Sequence, residues 1–168
     1  MRIFFDTEFI EDGKTIDLMS IGMIREDGLT YYAVSKDCDL KLASEWVREN
    51  VISHLWTGFN PIEVTKTREE IKRDILNFCS NRPEFWADYC SYDWIAFCQL
   101  FGKMIDLPRN YPMYCNDFEQ LINHLKIDKK ALAISNTQEH NALADAIQLK
   151  NEYDAVCTIT GFTHLLRQ

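Results

Sequence analysis

The chain has 168 residues, of which 46% are apolar and 26% are charged, and its formal net charge at pH 7 is -8. This composition is typical of a folded globular protein and excludes a disordered chain. The negative net charge argues against a protein that binds long duplex DNA, because such proteins need a basic surface to contact the phosphates. The sequence shows neither a signal peptide nor an apolar run near the roughly 20 residues that span a bilayer, so we expect a cytoplasmic protein with no membrane contact.

The first elements along the chain predict an antiparallel meander of three strands. Strand-like patterns cover residues 2–9, 16–24 and 29–35, and the dipeptides Asp12-Gly13 and Asp27-Gly28 separate them. Asp-Gly is a strong signal for a tight turn between paired strands. We therefore expect these strands to pair in sequence order.

Helices and short strands alternate in the remainder of the chain. Apolar residues recur at helical spacing from Leu42 to Leu55, and Thr67-x-x-Glu70 matches the capping box that starts a second helix. The further predicted elements are a strand at 84–89, a helix from Ser91 to near Gly102, a short strand at 111–115, and helices at about 117–126 and 140–156. The pattern predicts an α/β fold in one domain, residues 1–168, with a mixed five-stranded sheet, first antiparallel and then parallel, flanked by helices.

Two acids interrupt the first strand directly after its apolar run. Asp6 and Glu8 follow Ile3-Phe4-Phe5, and residues two apart on a strand project from the same face. Two carboxylates on one face repel each other unless a cation lies between them, so a metal site is the first hypothesis. The alternative is a solvated strand end that carries ordinary surface acids.

Asp93 is a second candidate site residue. It lies where the predicted fourth strand gives way to a helix, and such junctions commonly carry the active sites of α/β proteins. An acid in the first turn of a helix is also ordinary capping chemistry, which is the alternative interpretation.

The start of the last predicted helix provides a histidine and another acid. His140 lies at or before the helix start and Asp145 lies more than one turn inside it, a spacing that allows one base and one metal ligand. The small side chains of Ala142, Ala144 and Ala146 would let this helix pack close to the sheet. A capping or surface histidine and a solvated helix acid are the alternatives.

The candidate residues form one ordered set: Asp6, Glu8, Asp93, His140 and Asp145. This set resembles the D-E-D-D exonuclease superfamily, in which three motifs supply four acidic ligands and a histidine lies five residues before the last acid. The other branch of the superfamily has a tyrosine four residues before that acid, and the position here is Asn141. The chain therefore resembles the histidine branch, DEDDh.

Further motifs extend the likeness over residues 1 to about 157. They are Asp6-Thr-Glu-Phe-Ile-Glu-Asp-Gly13, Ser20-Ile-Gly22, Tyr31-Tyr-Ala-Val-Ser35, Tyr92-Asp93, Cys98-Gln-Leu100 with Gly102, and His140-Asn-Ala-Leu. With these motifs the chain resembles the small bacterial and phage 3'-to-5' exoribonucleases, also described as polyadenylate-specific 3'-exoribonuclease AS. The resemblance implies a ribonuclease H-like sheet, dependence on magnesium or manganese, and often a homodimer.

The resemblance also implies hydrolysis of single-stranded RNA at 3' ends or overhangs, with release of nucleoside 5'-monophosphates. Two Mg2+ or Mn2+ ions about 4 Å apart would be held by the four acids, with Asp6 as the bridging ligand, because these hard cations prefer carboxylate oxygens. His140 would accept the proton from the attacking water. Divalent cations make an acidic pocket attractive to phosphate, so the net charge of -8 does not exclude such a substrate.

The residues that contact the substrate are less visible in the sequence. The related enzymes stack the last bases on apolar and aromatic side chains, and Phe9, Met19 and Trp94 are the nearest candidates by position. A backbone group or Glu8 is the candidate for reading the 2'-hydroxyl. Core packing is the alternative for Phe9 and Met19. Arg109, Lys129 and Lys130 are candidates for steering phosphate, and a solvated surface position is the favoured alternative for each.

Two other functions share the same fold. A DNA 3'-to-5' exonuclease of the repair or proofreading type would use the same residues, and only the closer resemblance favours RNA. A catalytically silent nucleic-acid-binding module would have no need of all four acids and the histidine, and the set is intact. The end segment 160–168 has two open roles, packing of Phe162, Leu165 and Leu166 on the domain or on a second subunit.

Overall fold

A computed structural model of the protein describes residues 1–79, 81–132, 134 and 140–161. Within these residues the strands, in chain order, are β1 (Arg2–Glu11), β2 (Ile16–Arg25), β3 (Thr30–Ser35), β4 (Thr65–Lys66), β5 (Glu84–Ala87) and β6 (Asn116–Asp117). They form one sheet in the order β4-β3-β2-β1-β5-β6. The packing considered for Phe162, Leu165 and Leu166 lies outside the described residues.

The pairing of the strands confirms the predicted meander. β1 pairs antiparallel with β2, and β2 pairs antiparallel with β3. β5 runs parallel to β1, while β4 and β6 add parallel partners at the two edges of the sheet, beside β3 and β5. The result is the α/β fold with a mixed sheet that the sequence predicts, in a ribonuclease H-like arrangement.

The predicted count of five strands is wrong, because the sheet has six. The missed strand, β4, has two residues and lies between two helices, so it is too short to show an alternating pattern. The strand predicted at 111–115 is also wrong. Pairing begins only at Asn116, beyond Pro112, which has no N–H to donate to a ladder.

Helices flank the sheet on both faces. In the described residues they are α1 (Glu45–Asn50), α2 (Pro61–Val64), α3 (Arg68–Phe78), α4 (Ser91–Gln99), α5 (Phe118–Leu125) and α6 (Ala142–Thr160). The helix predicted from Leu42 to Leu55 is replaced by the short α1, with 3-10 turns at Leu40–Leu42 and Ile52–His54 on either side. None of these helices is long and apolar enough to cross a membrane.

Side-chain caps fix where the longer helices begin. The Thr67 hydroxyl accepts a hydrogen bond from the Glu70 N–H, and the Glu70 carboxylate accepts one from the Thr67 N–H, which confirms the predicted capping box at α3. At α6, the Asn141 side chain accepts a hydrogen bond from the Ala144 N–H. His140 therefore lies one residue outside the cap of α6.

The sheet is buried on both faces. On one face, β1 contributes Ile3 and Phe5 to a core that it shares with α3 and α4. On the other face, Phe4 packs with residues of α5 and α6. Because side chains alternate along a strand, Asp6 and Glu8 project on the same side as Phe4. The two acids of β1 therefore face α6.

Gly22 allows α6 to touch the sheet. It lies opposite Asp6 in the ladder between β1 and β2. A Cβ at this position would lie 2.1 Å from the backbone nitrogen of Leu143 and 2.2 Å from the carbonyl carbon of Ala142. Glycine within a strand often marks such a close approach of another backbone. This contact fixes the start of α6 beside the first acid of β1.

Replacing Gly22 with alanine tests this contact. We expect Gly22→Ala to force α6 away from β2 and to lower the free energy of unfolding by about 1–3 kcal/mol, the usual cost of overpacking. Thermal unfolding measures the change, with a loss of about 2–4 °C per kcal/mol for a chain of this size. The control is Met23→Leu, a volume-conserving change at the next buried residue of β2. An unchanged melting temperature for Gly22→Ala would contradict the contact.

Candidate active site

The middle of β1 presents two carboxylates to α6. Asp6 lies opposite Gly22, and Glu8 lies opposite Ser20. The register shifts directly after Glu8, so Met19 is the extra residue of a β-bulge in β2. The bulge interrupts the ladder after Glu8, and pairing resumes with Phe9 opposite Leu18. Both acids precede the bulge and share one face of the sheet.

α6 adds a third carboxylate to this face. The Asp145 N–H donates to the Asn141 carbonyl at 3.0 Å, which sets Asp145 in the first turn of the helix. One oxygen from each of Asp6, Glu8 and Asp145 lies within 4.8 Å of the others. Carboxylate oxygens at this spacing fit a hard divalent cation such as Mg2+ or Mn2+. The donor set of this three-acid cluster therefore suits the metal that the sequence predicts.

Asp93 lies beside the three-acid cluster, in the first turn of α4, and is 6% exposed. Its Oδ1 accepts hydrogen bonds from the Thr7 N–H at 2.9 Å and from the Thr7 hydroxyl at 2.7 Å. Thr7 lies between Asp6 and Glu8 in the chain. These bonds therefore tie the start of α4 to the part of β1 that carries both acids.

The acids raise one another's pKa values. Burial raises the pKa of Asp6 well above its usual range, and the carboxylates of Asp93 and Glu8 raise it further. Burial and the charges of Asp145 and Asp93 raise the pKa of Glu8 to about 8. Burial also raises the pKa of Asp93 to about 6, although its hydrogen bonds from Thr7 oppose the shift. The ionised cluster is therefore unfavourable by itself, and a divalent cation would compensate its charge.

His140 lines a cavity of about 320 Å³ that Asp6 and Asp145 also line. Its φ of 64° lies in the left-handed region, and it precedes Asn141, the cap of α6. The imidazole meets the indole of Trp46 with ring centroids 5.2 Å apart and an interplanar angle of 81°. The structure thus brings His140 to the same cavity as two of the acids, on a residue outside the regular helix.

The wall of this cavity contains polar residues that the sequence pattern does not single out. Lys129 forms ion pairs with Asp88 and Glu152, and Gln148 donates a hydrogen bond to Glu152 at 2.7 Å. Lys129 is therefore an ion-paired wall residue rather than a solvated surface cation. Helical spacing gives a signal for Gln148 and Glu152, because positions three and seven residues after Asp145 share its side of a helix.

A second cavity, of about 420 Å³, lies beside Glu8. Phe9, Leu42 and Trp46 contribute to its wall. The Phe9 ring stacks on Tyr92 with centroids 5.6 Å apart and an interplanar angle of 9°. Phe9 therefore combines packing with a place on a cavity wall next to the acids.

The chain matches known proteins over most of its length. A family model described as the 3'-5' exoribonuclease Rv2179c-like domain matches residues 1–157. The chain belongs to this family of 3'-5' exoribonucleases. Two relatives from Mycobacterium tuberculosis, 3'-5' exoribonuclease Rv2179c (strain ATCC 25618 / H37Rv) and 3'-5' exoribonuclease MT2234.1 (strain CDC 1551 / Oshkosh), are each 42% identical to it over 125 residues, which cover 72% of this chain and 73% of each relative.

Membership in the family confirms the resemblance to small bacterial 3'-5' exoribonucleases. The family implies that the exoribonuclease takes RNA as its substrate. The three-acid cluster of Asp6, Glu8 and Asp145 is the candidate metal site of this exoribonuclease.

In the exoribonuclease, one of the predicted substrate contacts, Met19, lies in the core, and another, Trp94, is partly buried against it. Met19 is 0% exposed, because the bulge turns it into a cluster with Tyr32 and Leu55. Trp94 stacks on Phe97 with centroids 5.2 Å apart and packs against the core on the other face of the sheet. The burial of Met19 favours core packing, the alternative interpretation, whereas the base-stacking role of Trp94 stays a prediction.

Neutralising one acid tests whether the cluster opposes folding in the absence of metal. Folding raises the pKa of Glu8 from 4.5 to about 8, so the metal-free exoribonuclease should lose stability as the pH rises across that interval. Asp6→Asn removes one of the repelling charges. In chelator at pH 8 we expect this variant to melt about 3 °C above the wild type, with a smaller difference at pH 5.

Thermal unfolding at the two pH values measures this difference, and comparing the two proteins cancels the pH dependence of the other groups. Added Mg2+ should raise the melting temperature of the wild type and have little effect on Asp6→Asn. Asp154→Asn, on an exposed position of α6, is the matched control for loss of an acid. Equal melting temperatures for wild type and Asp6→Asn in chelator at pH 8 would contradict the electrostatic interpretation.

Proposed function

We propose that the exoribonuclease hydrolyses single-stranded RNA from the 3' end with two divalent ions, Mg2+ or Mn2+, and releases nucleoside 5'-monophosphates. The observation that carries this proposal is the meeting of the Asp6, Glu8 and Asp145 carboxylates within 4.8 Å. Residues 1–168 act as one exonuclease domain of the DEDDh type. The proposal includes the homodimer that the resemblance implies.

Four carboxylates would hold the metal ions. We assign the bridging position to Asp6, because its carboxylate interacts with the charges of Asp93, Glu8 and Asp145. The Asp93 carboxylate, held by two hydrogen bonds from Thr7, would be the fourth ligand of the ions. When bound, the ions lower the pKa of the attacking water and stabilise the negative charge on the departing 3'-oxygen.

His140 is the residue that we assign as general base. It lines the same cavity as Asp6 and Asp145, and it lies outside the hydrogen bonding of α6. In the reaction, the water oxygen forms a bond to phosphorus, and the bond from phosphorus to the 3'-oxygen of the preceding nucleotide breaks. His140 takes the proton of the attacking water, and the departing 3'-oxygen gains a proton from solvent.

The cavities on either side of the three-acid cluster support a single strand as the substrate. Their volumes of about 420 and 320 Å³ are those of small-molecule sites, too small for a duplex. The cavity beside Glu8 takes the 3'-terminal nucleotide in this proposal. Phe9 offers an aromatic wall for its base, and the Glu8 carboxylate can accept a hydrogen bond from the 2'-hydroxyl.

End-labelled oligonucleotides test the proposal. Matched RNA and DNA strands, labelled at the 5' or the 3' end, are incubated with Mg2+, Mn2+ or chelator. We expect 5'-labelled RNA to shorten progressively and 3'-labelled RNA to release labelled mononucleotide, only when metal is present. Asp6→Ala and Asp145→Ala should lose at least about 100-fold in rate, because each removes a metal ligand.

Asp154→Ala is the control variant, since it removes an exposed acid from the same helix as Asp145. It should retain wild-type activity. Absence of metal-dependent mononucleotide release would contradict the proposal. Shortening from the 5' end would overturn the polarity, and equal degradation of DNA would remove the preference for RNA.

A further inference from the structure

Trp46 is a large aromatic residue on α1 that is 56% exposed. Its indole nevertheless meets the His140 imidazole, with centroids 5.2 Å apart and ring planes at 81°. Such an edge-to-face arrangement is a favoured geometry of paired aromatic rings. The contact therefore favours one orientation of the His140 ring.

The backbone of His140 lies outside the regular part of α6. Its φ of 64° is a left-handed conformation that non-glycine residues rarely adopt and that often occurs at functional sites. It precedes Asn141, the cap of α6, so the hydrogen bonds of the helix do not extend to it. The helix backbone therefore does not fix the orientation of the His140 ring, and a contacting side chain can do so.

The segment that carries Trp46 is docked firmly on the start of α6. The Asn141 side chain, which is 3% exposed, donates a hydrogen bond to the His54 carbonyl at 3.3 Å. Val51 and Leu55 share a buried core cluster with the first residues of α6. The backbone next to His140 is thus tied to the 3-10 turn that follows α1, and this fixes the distance between the two rings.

The ring pair also lies between the two cavities of the site. Trp46 lines the cavity beside Glu8, whereas His140 lines the cavity beside Asp6 and Asp145. The three acids meet within 4.8 Å of one another. The ring pair therefore joins the walls of two cavities that the residues of the three-acid cluster also line.

We propose that Trp46 is a positioning residue, whose indole holds the His140 imidazole in the orientation that accepts the proton of the attacking water. This inference rests on the proposed function, because it assigns Trp46 to the work of the general base. Loss of the indole leaves the imidazole free to rotate away from the water. Turnover then falls, while the metal ligands and the substrate-binding walls other than Trp46 remain in place.

A double-mutant cycle tests the proposal. Wild type, Trp46→Ala, His140→Ala and the double variant are compared for kcat and KM on the same single-stranded RNA. We expect His140→Ala to lower kcat by about 100-fold and Trp46→Ala to lower it by about 10-fold. The change in KM for Trp46→Ala should be smaller than the change in kcat, because Trp46 is one of several residues that line the cavity beside Glu8. In the His140→Ala background, Trp46→Ala should have no further effect on kcat, because the ring that it positions is absent.

Two further variants separate positioning from folding and from base stacking. Trp46→Phe keeps a ring beside His140 and should restore most of kcat, whereas Trp46→Leu should not. Tyr114→Ala removes a comparably exposed aromatic residue, 63% exposed, that does not line either cavity of the site, and should leave kcat unchanged. Melting temperatures of all variants, with and without Mg2+, check that folding and metal binding persist.

A second readout does not depend on activity. The indole of Trp46 shifts the NMR signals of the His140 ring protons through its ring current, so Trp46→Ala should move the His140 signals and leave those of His54 and His124 in place. Unchanged His140 signals would overturn the positioning contact. The proposal would also be overturned if Trp46→Ala lowered kcat by the same factor in the wild type and in the His140→Ala variant. An effect of Trp46→Ala on KM alone would overturn it as well and would make Trp46 a base-stacking residue. If the wild type has no exoribonuclease activity, both the proposed function and this inference are overturned. If the wild type is active but the effects of Trp46→Ala and His140→Ala on kcat are independent of each other, only this inference is overturned.

Discussion

The backbone contact between Gly22 and the start of α6 is the constraint on which the site depends. A Cβ at Gly22 would lie 2.1 Å from the Leu143 nitrogen, so no other residue allows the helix to approach this closely. Gly22 also lies opposite Asp6, which places the point of contact beside the first acid. One helical turn then carries Asp145 to the strand acids, within 4.8 Å. A side chain at position 22 would separate the helix acid from the strand acids.

The same geometry concentrates charges that oppose folding. Burial and neighbouring carboxylates raise the pKa of Glu8 to about 8, and they raise that of Asp6 well above its usual range. The apolar cores on both faces of the sheet hold these groups together. The hydrogen bonds from Thr7 to Asp93 add a fixed link between β1 and α4. The protein thus accepts local repulsion where a divalent cation would be bound, as functional sites commonly do.

Local patterns predict the parts of the structure that depend on neighbouring residues in the chain. Two Asp-Gly turns predict the meander, Thr67-x-x-Glu70 predicts the start of α3, and strand alternation puts Asp6 and Glu8 on one face. Features set by tertiary contacts escape such patterns. The edge strand β4 has only two residues, which is too short to show a period. Three other features depend on residues far apart in the chain, namely the bulge that buries Met19, the ion pairs of Lys129 and the contact between Trp46 and His140.

Anomalous diffraction from crystals of the exoribonuclease grown with Mn2+ and a nucleoside 5'-monophosphate tests the central claim most directly, namely that Asp6 is the shared ligand of two metal ions. We expect two manganese peaks about 4 Å apart, both in contact with the Asp6 carboxylate, with Glu8, Asp93 and Asp145 completing their ligands. Manganese bound only at other acids of the surface, or no peak in contact with Asp6, would contradict the two-metal site.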